Sequence, residues 1–263
     1  MDVRLMGVVN VTPDSFSDGG LYLDPRAAIA HGEELVAQGA DIVDVGGEST
    51  RPGAAPVAVE EELRRVGPVV AGLAGLGIEV SVDTSKAAVA AAALDAGATI
   101  VNDVTALRGD PEMAALVAER GAGLVLMHMA GDPRTMQVNP EYDDVVAEVR
   151  DFLAARLDAA VAAGIDASRV WLDPGIGFGK TAEHNFELLR GLDQLVSLGR
   201  PILVGTSRKS FIGRADGSEA DDRLGGTIAT SVLAAAAGAS VLRVHDVREM
   251  SEALTVASAV LRA

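Results

Sequence analysis

IEVSVDTSKAAVAAAALDAGATIVND, residues 78–103, holds one complete structural unit. IEVSVD (78–83) is a short β-branched run that ends in a carboxylate. The segment 85–96 reads as a helix, and Gly97 follows it, the residue type that accepts a left-handed helix stop without strain. TIVND (99–103) is then a second strand, again with a polar tip. Both runs are too apolar to alternate, as expected for parallel strands covered on both faces.

The unit recurs in both directions. Further strand runs are LMGVVN (5–10), DIVDVG (41–46), GLVLMH (123–128), VWLDPG (170–175), PILVGTS (201–207) and SVLRVH (240–245). Helical segments fill 24–38, 56–76, 110–120, 142–163, 181–198, 221–237 and 246–262, and glycines at 39, 77, 97, 121, 164, 199 and 238 mark the stops. Asp24-Pro25 and Asp110-Pro111 each place a capping side chain before a proline at a first helical turn. Eight strand-then-helix units in 263 residues predict an α/β fold, a (β/α)8 TIM barrel forming a single domain over 1–263. A doubly wound open sheet is the alternative, with fewer strands and longer loops.

The strand tips carry the chemistry. They read Asn10, Gly46-Gly47-Glu48, Asp83, Asn102-Asp103, His128, Asp173, Ser207-Arg208-Lys209, and Arg243 with His245. Any one strand-end Asn or Asp is as readily a helix cap as a site residue. A whole ring of them at one barrel mouth is a site, because that is where barrels assemble their active centres. The first strand poses the same question: GVVNVTPDSFSDGG (7–20) stops an apolar run at an amide and opens into a polar loop. Asn10 is one corner of the ring.

Composition limits what the site can serve. Hydrophobic residues make up 49%, charged residues 23% and aromatics 3%, with no cysteine, so thiol chemistry and disulfides are excluded. The formal net charge of −16 argues against nucleic acid or an anionic membrane as partner. No apolar window reaches ~18 residues, which predicts no membrane span, and the expected location is cytoplasmic. Arg243 and His245 share a strand face, and a basic pair in so acidic a chain calls for an anion.

Several residues take blander readings. His31 and His184 fall on helices and read as solvated; His128 and Asp44 read as structural. DPGIGFGKT (173–181) nearly spells a phosphate-binding Walker loop, but Pro174 stands where that motif needs glycine. Its glycines instead let backbone curl over a flat ligand, with Phe178 offering a ring face. No Ser-His-Asp arrangement, HExxH or histidine metal cluster is present. A Mg²⁺ held by one side chain and substrate phosphates stays compatible.

The blocks GVVNVTPDSFSDGG, DVGGESTRPGA, VSVDT, IVNDV, VLMHMAGDPRTMQ, LDPGIGFGKT, LVGTSRKSFIG and RVHDVRE occur in this order across the chain. In these blocks the sequence resembles the dihydropteroate synthases, a pterin-binding barrel family and the target of sulfonamides. The resemblance implies a homodimeric transferase in folate biosynthesis. It condenses 6-hydroxymethyl-7,8-dihydropterin pyrophosphate with p-aminobenzoate, releasing pyrophosphate. It also implies roles: Asn10 as Mg²⁺ ligand; Asp83, Asn102, Asp173 and Lys209 on the pterin edge; Arg243 stacked on the pterin and, with His245, on pyrophosphate. Asp18, Thr50, Arg51, Pro52, Phe178 and Ser210 would close the p-aminobenzoate side. Asp18, Asp83 and Lys209 are the catalytic candidates. Two alternatives stay open here: a synthase-like pterin-binding protein without turnover, and a methyltetrahydrofolate-binding methyltransferase.

Overall fold

Short β-branched runs between helices can hide their backbone only by pairing with one another, and here they close into a ring. In the computed structural model, which describes residues 2–12, 24–50, 53–131 and 135–262, eight parallel strands form one sheet. They are β1 (Arg4–Asn10), β2 (Ile42–Gly46), β3 (Val80–Asp83), β4 (Ile100–Asp103), β5 (Gly123–Met127), β6 (Val170–Asp173), β7 (Leu203–Val204) and β8 (Val241–Val244). Their order is β6-β5-β4-β3-β2-β1-β8-β7. A single parallel bridge, Leu172 to Ile202, with Leu172 N donating to Pro201 O at 2.9 Å, joins β6 to β7 and closes the TIM barrel.

The helices around it are α1 (Pro25–Ala37), α2 (Val59–Gly75), α3 (Ala87–Asp95), α4 (Met113–Arg120), α5 (Val145–Ala162), α6 (Ala182–Arg190), α7 (Leu192–Val196), α8 (Ser210–Asp216), α9 (Leu224–Ala236) and α10 (Val247–Arg262). All seven glycines expected to stop a helix take positive φ, from +59° at Gly121 to +112° at Gly39. Asp24 caps α1 through the Arg26 amide. Asp110 does not cap α4, whose N-cap position is Glu112; it closes the turn before that helix. It accepts from the amides of Glu112 at 3.0 Å and of Ala87 at 2.9 Å, so it tethers the start of α3 as well as its own turn.

Two further expectations need correction, and one helix stands where none was read. The helix read over 181–198 breaks at Gly191 into α6 and α7. The strand read over 201–207 keeps ladder pairing only at Leu203–Val204, because the chain beyond it turns across the barrel mouth. The polar stretch after Lys209 contains α8, which no apolar periodicity announced.

Strand alternation divides the core. Val43, Val45, Val80, Val82, Leu124, Leu126, Leu242 and Val244 pack outward against the helices. Met6, Ile42, Ile100, Val125, Leu203 and Val241 meet inside the barrel, with Trp171 against them. A fully buried side chain of this size contributes roughly 1.5–3 kcal/mol. The inner layer therefore forms a solid floor, and the residues two steps further along each strand stand above it.

The turn after β6 shows how the mouth is shaped. Gly175, Gly177 and Gly179 all have positive φ, and a Cβ on Gly175 would lie 1.9 Å from the carbonyl oxygen of His128. Lys180 ties the turn together. It is buried, and its Nζ donates to Phe178 O at 2.9 Å, Gly175 O at 3.0 Å and His128 Nδ1 at 2.9 Å. His128 is structural, as expected: it also packs edge-on against Phe152, with ring centroids 4.8 Å apart.

Burial, then the Lys180 and Arg108 charges, lower His128 from 6.5 to about 3, which keeps Nδ1 an acceptor. The unfolded chain protonates this histidine below about pH 6.5, before the folded chain does. Stability attributable to it is thus intact above that pH and is lost as the pH falls toward 3, at about 1.4 kcal/mol per unit. Between pH 7.5 and 5.0, His128→Gln should lose about 2 kcal/mol less than the parent in urea unfolding. Equal losses would assign the acid sensitivity to other groups.

Candidate active site

Ladder register sets Asn10, Gly46, Asp83 and Asn102 side by side across β1 to β4. Arg243 reaches this row from β8. Its Nε donates to Asp44 Oδ2 at 2.7 Å and its Nη2 to Asp83 Oδ2 at 3.0 Å. Asn102 Nδ2 donates to the same Asp44 oxygen at 3.1 Å. One guanidinium thus serves two carboxylates. Burial would lower the Arg243 pKa, but Asp44 and Asp83 outweigh it and raise it. Asp83 moves the other way from an ordinary carboxylate. Burial, with Asp44, Glu62 and Asp103 nearby and only Arg243 opposing, pushes it up to about 7.

Across the pocket stand Asp173 and Lys209. Asp173 Oδ1 accepts from the Gly175 amide at 2.7 Å, and burial raises its pKa against the pull of Lys209. The Lys209 ammonium donates to Ile176 O and sits 4.7 Å from the centroid of the Phe178 ring. Burial lowers Lys209 to about 8, with Asp173 opposing. The turn that presents Lys209 is braced by α9. Arg208, at φ +58°, donates its amide to the buried Thr227 hydroxyl at 3.0 Å; Thr206 and Ser231 share a hydrogen bond of 2.8 Å. Ser207 Oγ lies 2.9 Å from His245 Nδ1 and orients that ring.

The pocket is lined by Thr50, Asp83, Asn102, Asp173, Phe178, Lys209, Arg243 and His245, all read from the sequence, and by Val104, Met127, Gly205 and Ser207. Ser210 is exposed at the first turn of α8 and lies outside this lining. Asn10 sits at the rim, half-buried. A Cβ on Gly46 would lie 3.7 Å from Asn10 Oδ1 and 3.8 Å from Asp83 Oδ2, so both side chains flank that glycine. Asp18, Arg51 and Pro52 lie outside the described residues.

Other ring members face elsewhere. Asp103 turns away from Asn102 by strand alternation and accepts from the amides of Thr105 at 2.8 Å and Leu107 at 2.7 Å, fixing the next turn. His184 is not simply solvated: with Thr181 it forms a capping box on α6. Asp44 takes the buried hydrogen-bonding role read from the sequence, accepting from Arg243 and Asn102. The available signal was its charge inside an otherwise apolar strand, which demands a buried partner. Val104 and Met127 carry no chemical signal at all. Among the described residues no cluster of three or more His, Asp or Glu could hold a metal unaided.

A floor of hydrogen-bonding carboxylates and amides, a lysine over an aromatic ring and a basic pair at the edge suit a flat, nitrogen-rich ligand joined to an anion. Comparison with known proteins agrees. Residues 6–245 match the pterin binding enzyme family. The dihydropteroate synthase of Mycobacterium leprae is 54% identical, with 99% of this chain and 94% of the relative covered. That of Escherichia coli K12 is 47% identical over 99% and 92%. A Yersinia pestis dihydropteroate synthase solved with a sulfonamide drug complex superimposes with a TM-score of 0.97 at 44% identity, covering 100% and 95%. A Xanthomonas albilineans dihydropteroate synthase solved with 7,8-dihydropteroate gives 0.90 at 49%, covering 99% and 94%. The chain belongs to the pterin binding enzyme family and, within it, to the dihydropteroate synthases, the transferases that make dihydropteroate in folate biosynthesis.

Proposed function

We propose that this chain makes 7,8-dihydropteroate from 6-hydroxymethyl-7,8-dihydropterin pyrophosphate and p-aminobenzoate. The observation that carries the reading is the pairing of Asp173 with Lys209 and Asn102 in one pocket, beside Arg243 and His245. A pterin edge offers adjacent N–H donors and ring acceptors. Asp173 accepts from the donor edge, and Asn102 and Lys209 serve the acceptors. Arg243, held by Asp44 and Asp83, lies against the pterin plane and keeps N–H donors over for pyrophosphate, which it meets together with His245. Xanthomonas albilineans relatives solved with 4-aminobenzoic acid and with 7,8-dihydropteroate support both substrates.

The bond between the pterin methylene and the pyrophosphate oxygen breaks, and its electron pair leaves with pyrophosphate. Positive charge develops on the methylene and spreads into the ring. Asp83 faces it, and the resemblance assigns Asp18 the same role. The Asp83 carboxylate, held in place by Arg243, stabilises that charge as it forms. The uncharged amine of p-aminobenzoate then bonds to the methylene carbon and sheds its proton to water. Thr50 and Phe178 line the pocket on the side assigned to p-aminobenzoate, and the resemblance adds Arg51, Pro52 and Ser210 to that side, where sulfonamides would compete.

Mg²⁺ fits this site as a guest of the substrate. Asn10 Oδ1 is a hard oxygen donor at the rim, near Gly46, and would hold the ion together with oxygens of the pyrophosphate. When bound, the ion would neutralise leaving-group charge. We read the chain further as one domain, cytoplasmic and homodimeric. Support for the dimer is the apolar exposure of Leu233 at 66%, Val256 at 65% and Val260 at 69% on the adjoining α9 and α10. No helix among the described residues is long and apolar enough to cross a membrane.

Pyrophosphate release should require both p-aminobenzoate and Mg²⁺; equal turnover in excess chelator would remove the metal role. Asp173→Asn exchanges an acceptor for an amide that misplaces a donor, so pterin affinity should fall about 10–100-fold by calorimetry. Unchanged affinity would put the pterin elsewhere. Leu233→Glu should convert a sedimenting dimer to monomer, and a parent that already sediments as a monomer would refute the assembly.

A further inference from the structure

Beside the pocket lies a second charged cluster that the chemistry above does not use. Glu62, in the first turns of α2, is only 1% exposed, and its Oε1 accepts from Thr84 Oγ1 at 2.6 Å. Its other oxygen takes the ammonium of Lys86. The same Nζ donates to Glu48 Oε2 at 2.6 Å. Glu48 Oε2 in turn accepts from the Val57 amide at 2.7 Å. Arg65 adds a bond to Gly47 O at 2.8 Å.

The connectivity matters more than the count of bonds. The β2–α2 connection leaves the sheet after Gly46 and enters α2 at Val59. Glu48 stands near its start and Val57 near its end, so one carboxylate oxygen draws the two ends together. Lys86, from the following β3–α3 turn, fastens that neck to a buried carboxylate on α2. Thr84 directly follows Asp83, so the neck is also tied to the strand tip that faces Arg243. Gly47 allows the close approach: a Cβ there would lie 2.7 Å from Val66 Cγ1 and 3.0 Å from Glu62 Cγ. Thr50, on the connection itself, lines the pocket.

We propose that Lys86 is a positioning residue for the second substrate: by bridging Glu48 and Glu62 it fixes the neck of the β2–α2 connection and thereby the placement of Thr50. The inference rests on the reading that Thr50 faces p-aminobenzoate. Two carboxylates share the single ammonium. Removing it leaves like charges facing each other across the neck, one of them buried, and they separate or draw in water. The displacement reaches Thr50 without touching Asp173, Asn102 or Lys209.

The test is steady-state kinetics, pterin calorimetry and thermal melting on Lys86→Ala, Lys86→Gln, Lys86→Arg and Thr50→Ala in the full chain. Lys86→Ala should raise the KM for p-aminobenzoate about 10-fold, a misplacement effect, while pterin affinity stays within about twofold. Lys86→Gln should behave alike if the alanine variant does not fold. Lys86→Arg, which keeps the charge, should recover most of the loss. An unchanged KM, or losses of both substrates that track the melting temperature, would overturn the proposal and leave Lys86 a stabiliser of the barrel. The Thr50 variant separates the two layers of argument. If Thr50→Ala raises the KM and the Lys86 variants do not, only the Lys86 assignment falls. If Thr50→Ala is silent toward p-aminobenzoate, the reading beneath it falls too.

Discussion

A single guanidinium inside the barrel sets the terms for everything above the apolar floor. Arg243 bonds Asp44 and Asp83 together, and Asp44 also holds Asn102. Each of these groups would be costly alone at this depth, since an uncompensated buried charge costs several kcal/mol. Joined, they form a polar tier spanning β2, β3, β4 and β8, and none can change without disturbing the others. The arrangement keeps more negative than positive charge in the tier. Burial, together with the Asp44 charge beside it, is why the Asp83 pKa lies above the ordinary carboxylate range.

A second constraint is the shortage of space at the mouth. Gly175 and Gly47 both sit where a methyl group would collide with a neighbour, one with backbone and one with α2. Lysines, buried Lys180 and half-buried Lys86, compensate in both places. Lys180 collects carbonyl oxygens inside the turn after β6; Lys86 collects carboxylates at the neck after β2. Two of the rim's tight turns are thus fastened by lysine side chains, one from within and one from the neighbouring turn. This is a means of holding loop residues to a fixed geometry without lengthening the strands beneath them.

What the sequence disclosed follows from what each residue type can advertise. The barrel was legible because β-branched runs and helix-stopping glycines are local signals, and Gly39 through Gly238 behave as their chemistry requires. Pocket members such as Asp83, Asn102, Asp173 and Arg243 were legible because a polar group at a buried strand end has few other reasons to be there. Asp103 and His128 carried the same signal yet face away, since adjacent strand residues alternate and sequence alone does not say which is inward. Asp44 was legible as a buried hydrogen-bonding residue, but its partner stands 199 residues away. Thr227 and Ser231 looked like ordinary helix residues, and only the packing of α9 under the β7 turn makes them braces.

The barrel closes between β6 and β7 through one backbone bridge, at Leu172 and Ile202, whereas every other neighbouring pair shares a ladder. Asp173 stands on one side of that seam and Lys209 on the other, and the Lys209 bond to Ile176 O already crosses it. A pterin gripped by both side chains would act as a clasp, completing the ring where the peptide chain leaves it weakest. Substrate and scaffold are then mechanically linked. The occupied barrel would be a stiffer hoop than the empty one, with the stiffening at the edge of the pocket.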